Sequence, residues 1–122
     1  MVQSLNSTVE LAVKVNSFLD PINPKPGVMA IGNNGVEFRA SNGEGYIQIP
    51  WRNVVTVQAQ VFFNGRYIRG FDIITDDNQT LNFVVADAKK ALRVMRNHLK
   101  SSQLVKKRGN FSNLFKRKKS NR

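Results

Sequence analysis

The chain has 122 residues, 41% of them hydrophobic, and its 19 Lys and Arg outnumber eight Asp and Glu to give a formal charge of +11. That length supports one domain around one core, and the absence of cysteine excludes disulfides and thiolate metal sites. The N-terminus lacks the basic start and apolar run of a signal peptide, and no stretch reaches the roughly 18 apolar residues of a membrane span, so a cytoplasmic setting is expected, with any membrane contact peripheral.

Val9, Leu11, Val13 and Val15 alternate with polar or small residues, the period of a strand with one buried face. Asp20-Pro21 through Pro26-Gly27 then interrupts the chain, because its prolines supply no ladder donors. Strands are predicted over Val28 to Ile31 and Val36 to Ala40, turned by Asn33-Asn34-Gly35. Asn-Gly favours a tight hairpin turn with positive φ at both central residues. A second Asn-Gly, Asn42-Gly43, leads into Tyr46 to Ile49, followed by Pro50-Trp51.

The longest alternation follows, with Val55, Val57, Ala59, Val61 and Phe63 on one face and Thr56, Gln58, Gln60 and Phe62 on the other. Asn64-Gly65 turns it into Tyr67 to Thr75, and Asp76-Asp77-Asn78 turns that strand into Thr80 to Val85. A two-residue turn at Asn64-Gly65 would set Gln58 opposite Phe71 and put a polar residue on the buried face. A longer turn or a bulge sets Ala59 opposite Phe71 and Val57 opposite Ile73, and this register is predicted.

At Asp87 the period becomes helical. Asp87 is a good N-cap, and Ala88, Ala91, Leu92, Met95 and Leu99 form one apolar stripe. Beyond it, residues 100–122 hold nine of the basic side chains and no acidic one, which leaves residues 1–99 nearly neutral. The chain therefore divides into a domain over 1–100 and a basic amphipathic tail over 101–122. In that tail Phe111, Leu114 and Phe115 share helical spacing beside Lys106, Lys107, Arg108, Lys116, Arg117, Lys118 and Lys119.

Seven antiparallel strands in local order and one C-terminal helix suggest a mainly β fold. The expected form is a small barrel or sandwich whose open end the helix covers, resembling the pleckstrin-homology-like superfold. Such a fold hosts many functions, so function must come from a site.

No catalytic constellation is legible. The one histidine, His98, has no base or acid partner by spacing and reads as a helix-terminal residue interacting with the last carbonyls. Asp72, Asp76 and Asp77 are the one acidic cluster, and the last two occupy a turn, where such side chains bond their own backbone. The glycines follow neither phosphate-cradle pattern, and no serine sits in a nucleophile elbow. No enzyme activity, cofactor or metal is expected. Trp51 reads as core or rim packing.

Binding surfaces are more promising. Arg66 and Arg69 flank the Asn64-Gly65 turn beside Phe62, Tyr67 and Ile68, and in the preferred register Phe62 and Ile68 both point outward, either as an apolar contact patch or covered by the N-terminal segment, the proline loop or the helix. The tail admits a solvated segment, a membrane or membrane-protein anchor, or a nucleic-acid arm. Cations alone serve phosphate contacts, where the Phe111, Leu114 and Phe115 edge has no task beyond an aromatic stacking on a base, whereas an anchor uses the whole edge. A helix-turn-helix signature, which a DNA reader of that type needs, is absent.

Gln3-Ser4-Leu5-Asn6, Ile47-Gln48-Ile49-Pro50-Trp51, Val61-Phe62-Phe63-Asn64-Gly65-Arg66-Tyr67-Ile68, Phe71-Asp72-Ile73 and Lys89-Lys90-Ala91-Leu92-Arg93 together resemble the ManO family. These are small Firmicutes proteins encoded beside mannose-type phosphotransferase sugar transporters. The resemblance runs to about residue 105 and carries no catalytic residues with it. It implies a partner: the membrane-embedded subunits of such a permease, approached from the cytoplasm. The chain would then be a regulator of sugar uptake, peripheral at the inner face of the membrane. The alternatives are a regulator of the transporter operon that binds DNA through the tail, and an anionic-lipid-binding module.

Overall fold

The structure, a computed structural model, describes residues 4–18, 24–43 and 45–107. Its strands are β1 (Val9–Ser17), β2 (Lys25–Gly32), β3 (Gly35–Ala40), β4 (Tyr46–Pro50), β5 (Val54–Phe62), β6 (Tyr67–Thr75), β7 (Thr80–Val85) and β8 (Leu104–Lys107). One helix, α1 (Ala88–Met95), precedes β8. The expected strands are all present, and β6 and β7 have the bounds read from the sequence.

The strands form a single sheet in the order β4-β3-β2-β1-β7-β6-β5-β8. This corrects the seven-stranded antiparallel expectation, because β8 is an eighth strand and runs parallel to β5, pairing Val57 with Leu104 and Gln60 with Lys107. The sheet is mixed, and among the described residues β4 and β8 are its two edges and do not pair with each other, so it does not close into a barrel. The physical reason lies on β5. Its outer edge offers unpaired ladder groups, and the chain returning from α1 satisfies them. Gln103 assists by donating its Nε2 to the Val54 carbonyl at 3.0 Å.

Although open, the sheet is strongly bent. Phe38 on β3 and Phe83 on β7 have ring centroids 5.9 Å apart, whereas in a flat sheet three strand spacings would separate those strands by about 14 Å. The two half-sheets therefore face each other, with Met29, Ile31, Phe71, Ile73 and Met95 buried between them and α1. Asp87 caps α1 by accepting the Lys90 N–H at 3.3 Å. Ala88, Ala91 and Met95 are buried, and Leu99 just beyond the helix is too, as the apolar stripe predicts.

Register in the β5–β6 hairpin follows the prediction, with Ala59 opposite Phe71 and Val57 opposite Ile73. Two irregularities bound it, and the one nearer the turn, at Arg69, sets it. Pairing skips Val55 near the start of β5 and Arg69 near the start of β6, so Val55 is exposed instead of facing the core. Gly70 follows the second bulge because β7 passes close: a Cβ there would lie 2.0 Å from the Phe83 carbonyl oxygen.

The Asn33-Asn34-Gly35 turn differs from the tight Asn-Gly geometry expected, because Asn34 does not adopt positive φ. The N-terminal segment holds it instead. Asn6 Oδ1 accepts the backbone N–H groups of Asn34 at 2.7 Å and Gly35 at 2.9 Å, and Asn33 Oδ1 accepts those of Ser7 and Thr8.

Candidate functional site

The most exposed large apolar side chain among the described residues is Phe63, 74% accessible, at the β5–β6 turn. The alternation on β5 predicts it inward, yet β5 ends at Phe62 and the turn begins at Phe63. Phe63, Asn64 and Gly65 take φ of 54°, 57° and 87°, three left-handed residues in succession. Asn and Gly tolerate that region, but a bulky aromatic there is an outlier that costs about 1–2 kcal/mol. The turn closes by two backbone bonds, Gly65 N–H to the Phe62 carbonyl and Arg66 N–H to the Phe63 carbonyl, each 3.1 Å.

Around Phe63 the aromatic side chains form a ridge. Its ring centroid lies 6.4 Å from that of Phe62 and 6.5 Å from that of Tyr67, and Tyr67 is 51% accessible. The expected pairing of Phe62 with Ile68 on one outer face is corrected here. Phe62 pairs with Tyr67, while Ile68 pairs with Val61 and packs against the core. The bulge at Arg69 turns Ile68 inward while leaving Phe62 and Tyr67 together. Arg66 and Arg69 are exposed, and among the described residues neither guanidinium belongs to an ion pair.

Beside this hairpin lies the root of the basic segment. Because β8 is parallel to β5, it leads the chain toward the end of the sheet where β5 reaches its turn. Lys106 is exposed, but Lys107 is committed: its Nζ lies 2.6 Å from Oδ2 of Asp72, which is fully buried. Gln60 Nε2 donates to the other oxygen, Oδ1, at 2.8 Å. A charge at this depth requires such pairing, so Asp72 acts as an anchor for β8. It stands apart from the turn acids, since Asp76 accepts from Asn53 and Asp77 from the Thr75 hydroxyl. The remaining tail candidates, Arg108, Phe111, Leu114, Phe115, Lys116, Arg117, Lys118 and Lys119, lie outside the described residues.

The profile of a domain of unknown function, DUF956, matches residues 1–118. The chain belongs to the DUF956 family. The match extends past the limit of the ManO resemblance and takes in most of the basic segment. No curated protein matches this DUF956 chain. Among solved structures it resembles the crystal structure of the C-terminal domain of an unknown protein from Leishmania infantum, with a TM-score of 0.64 and 11% identity, covering 75% of this chain and 83% of that one. Such a likeness shows a shared fold alone.

Other polar clusters of the DUF956 domain have structural tasks. His98 Nε2 lies 2.9 Å from Oε2 of Glu10, and its ring stacks on Trp51 at 4.9 Å and 12°, so its side chain serves the Trp51 edge and not the helix carbonyls. Trp51 itself donates Nε1–H to the Gly32 carbonyl at 3.0 Å, in keeping with rim packing. Glu37, nearly buried on β3, accepts from Leu5 N–H at 2.8 Å, Asn6 Nδ2 at 3.0 Å and the Tyr46 hydroxyl. Burial pushes its carboxyl upward, but the bonds from Tyr46, Leu5 and Asn6 outweigh this and hold its pKa at about 2. Sequence reading missed this clamp, whose N-terminal partners Leu5 and Asn6 lie 32 and 31 positions from Glu37; its one local signal is a carboxylate inside an apolar strand.

A cleft of about 480 Å³ runs over β1, β2 and β7, bordered by Lys14, Asn16, Val28, Ser41, Tyr67 and Val84. It offers a cation and two hydroxyls but no carboxylate or imidazole in its lining. Among the described residues no group of three or more His, Asp or Glu could hold a metal ion. No described helix is long and apolar enough to cross a membrane. What the arrangement supplies chemically is contact surface: an aromatic ridge, two exposed arginines, and a basic segment rooted beside them.

Proposed function

We propose that this DUF956 chain is a non-enzymatic accessory protein that docks on the cytoplasmic face of a mannose-type phosphotransferase permease and modulates sugar uptake. The observation that carries the reading is the direction of β8, which roots the basic segment beside the aromatic and basic tip of the β5–β6 hairpin. One docking face then combines a shaped contact on the sheet with a cationic, Phe-bearing segment suited to the membrane side of a transporter. The partner comes from the ManO resemblance. Binding that favours one conformation of the permease is sufficient to change uptake.

The strand order supports a pleckstrin-homology-like reading of the fold: two meanders, β1–β4 and β5–β7, meet through β1 and β7, with α1 against the core. DNA binding is the weaker alternative, because α1 buries Ala88, Ala91 and Met95 in the core and is not free to serve as a recognition helix.

The test is co-purification from detergent-solubilised host membranes, using the tagged full chain and a version ending at Lys107, the last residue of β8. The full chain is expected to recover the permease subunits and the shortened one to lose them, with sugar uptake altered when the protein is deleted. If the full chain recovers no permease and deletion leaves uptake unchanged, the reading is wrong.

A further inference from the structure

Phe63 carries two costs in the free protein at one position. It places a bulky aromatic in left-handed backbone at φ 54°, and it leaves 74% of that residue in water. Asn or Gly would make the same turn without either cost. The folded domain alone gains from a phenylalanine there only its ring contacts with Phe62 and Tyr67, and backbone outliers of this sort cluster at ligand contacts.

We infer that the β5–β6 tip is a lipid-contacting wedge, in which Phe63, backed by Phe62 and Tyr67, enters the headgroup and acyl boundary of an anionic phospholipid bilayer while Arg66 and Arg69 lie at the phosphates. The inference deepens the docking reading by giving the same face a lipid partner, and rests on it only for bringing the protein to a membrane.

Three observations select lipid. First, the ridge is small: an aromatic side chain buries at most roughly 150–250 Å², and Phe62 is already half-buried, so the tip falls short of the roughly 800 Å² per partner of a stable protein interface. Second, its composition is that of a membrane boundary, with apolar rings at the turn and a phenol and two arginines next to them in the chain. A nucleic-acid phosphate surface would engage the arginines and leave Phe63 in water. Third, the charge is one-sided. Beyond Lys107 the sequence adds six Lys or Arg and no Asp or Glu, and this segment starts from the strand beside β5. An anionic leaflet attracts these cations and thereby presents itself to the tip.

The experiment uses the full chain, without permease, sedimented with phosphatidylglycerol–phosphatidylcholine vesicles and with phosphatidylcholine vesicles. Phe63→Gly removes the ring and relieves the backbone, so it keeps the fold, and its thermal melt verifies that. Binding of the wild type to the anionic vesicles is expected, reduced about tenfold in Phe63→Gly, the loss fitting partial burial of one aromatic ring. In a second variant, Phe63→Trp, the added indole emission is expected to shift to the blue on anionic vesicles and to be quenched by lipids brominated near the interface, with wild-type Trp51 emission as the background.

Vesicle binding indifferent to Phe63→Gly, or an indole that neither shifts nor is quenched, overturns the wedge and leaves the cations as the whole attraction. Loss of permease capture in detergent by Phe63→Gly with vesicle binding intact also overturns it, assigning the tip to protein. Normal vesicle behaviour without permease capture supports the wedge and removes only the docking reading, so the two fail separately.

Discussion

Glu37 and Phe63 mark two regions that treat an awkward residue in opposite ways. Glu37 is a charge in a buried place, and the molecule surrounds it with donors: Ser4, Leu5, Asn6 and Tyr46 all bond its carboxylate. Arg39 stacks over the Tyr46 ring at 5.0 Å and holds that donor in turn. Phe63 is an apolar ring in an exposed place, on strained backbone, with nothing but its aromatic neighbours. A buried charge must be satisfied within the fold, since leaving it unpaired costs several kcal/mol. An exposed ring can wait for a partner. The first region therefore reads as stability and the second as function.

That contrast breaks most visibly at the clamp. Glu37→Ala is expected to lower the unfolding free energy by about 4 kcal/mol, because it strands the N–H groups of Leu5 and Asn6 and the Tyr46 hydroxyl together. Urea unfolding measures it, and a loss under about 1 kcal/mol would show that the N-terminal segment is not held by Glu37.

The pH dependence sharpens the same point. The carboxyl is lowered from 4.5 to about 2 on folding, so its stabilisation is fully present above pH 4.5 and disappears as pH falls toward 2. By linkage, the whole difference is about 3 kcal/mol. Acid titration of the unfolding free energy is expected to lose this slope in Glu37→Gln, and an unchanged slope would move the effect to other carboxylates.

Lys107→Ala comes next, at about 2 kcal/mol, since it leaves buried Asp72 with Gln60 alone. Adding Asp72→Asn should recover part of that loss, because the stranded charge is gone; an additive double mutant would deny the coupling. The smallest effect has the opposite sign. Phe63→Gly is expected to stabilise the domain by about 0.5 kcal/mol, the relief of left-handed strain being partly offset by the greater freedom of glycine when unfolded. A lower melting temperature for this variant would mean that Phe63 packs usefully in the free protein, and would erase the contrast with Glu37.

Local signals in the sequence were legible wherever one face of an element meets the core. Alternation marks β6 and β7 to the residue, and the demand that Gln58 stay off the buried face predicts the bulged register of the β5–β6 hairpin. Asp87 and the stripe from Ala88 to Leu99 mark the helix. The candidate tip is half legible: the pattern marks Arg66, Arg69, Phe62 and Tyr67, but sets Ile68 outward and Phe63 inward. Alternation was carried through a turn and past a bulge, and each such irregularity reverses the faces beyond it.

By itself the sequence determined the periods, and with them β1 to β7, the helix, the buried face wherever pairing is regular, and the separation of a nearly neutral domain from a cationic end. Only the tertiary structure decided that the sheet bends without closing and that β8 takes the free edge of β5. It also decided that Asp72 receives Lys107 and that Glu37 receives the N-terminal segment. Periodicity records how each residue is placed relative to its own element. Edge pairing and buried charge pairing join residues tens of positions apart, and depend on which unpaired groups the folded sheet leaves within reach.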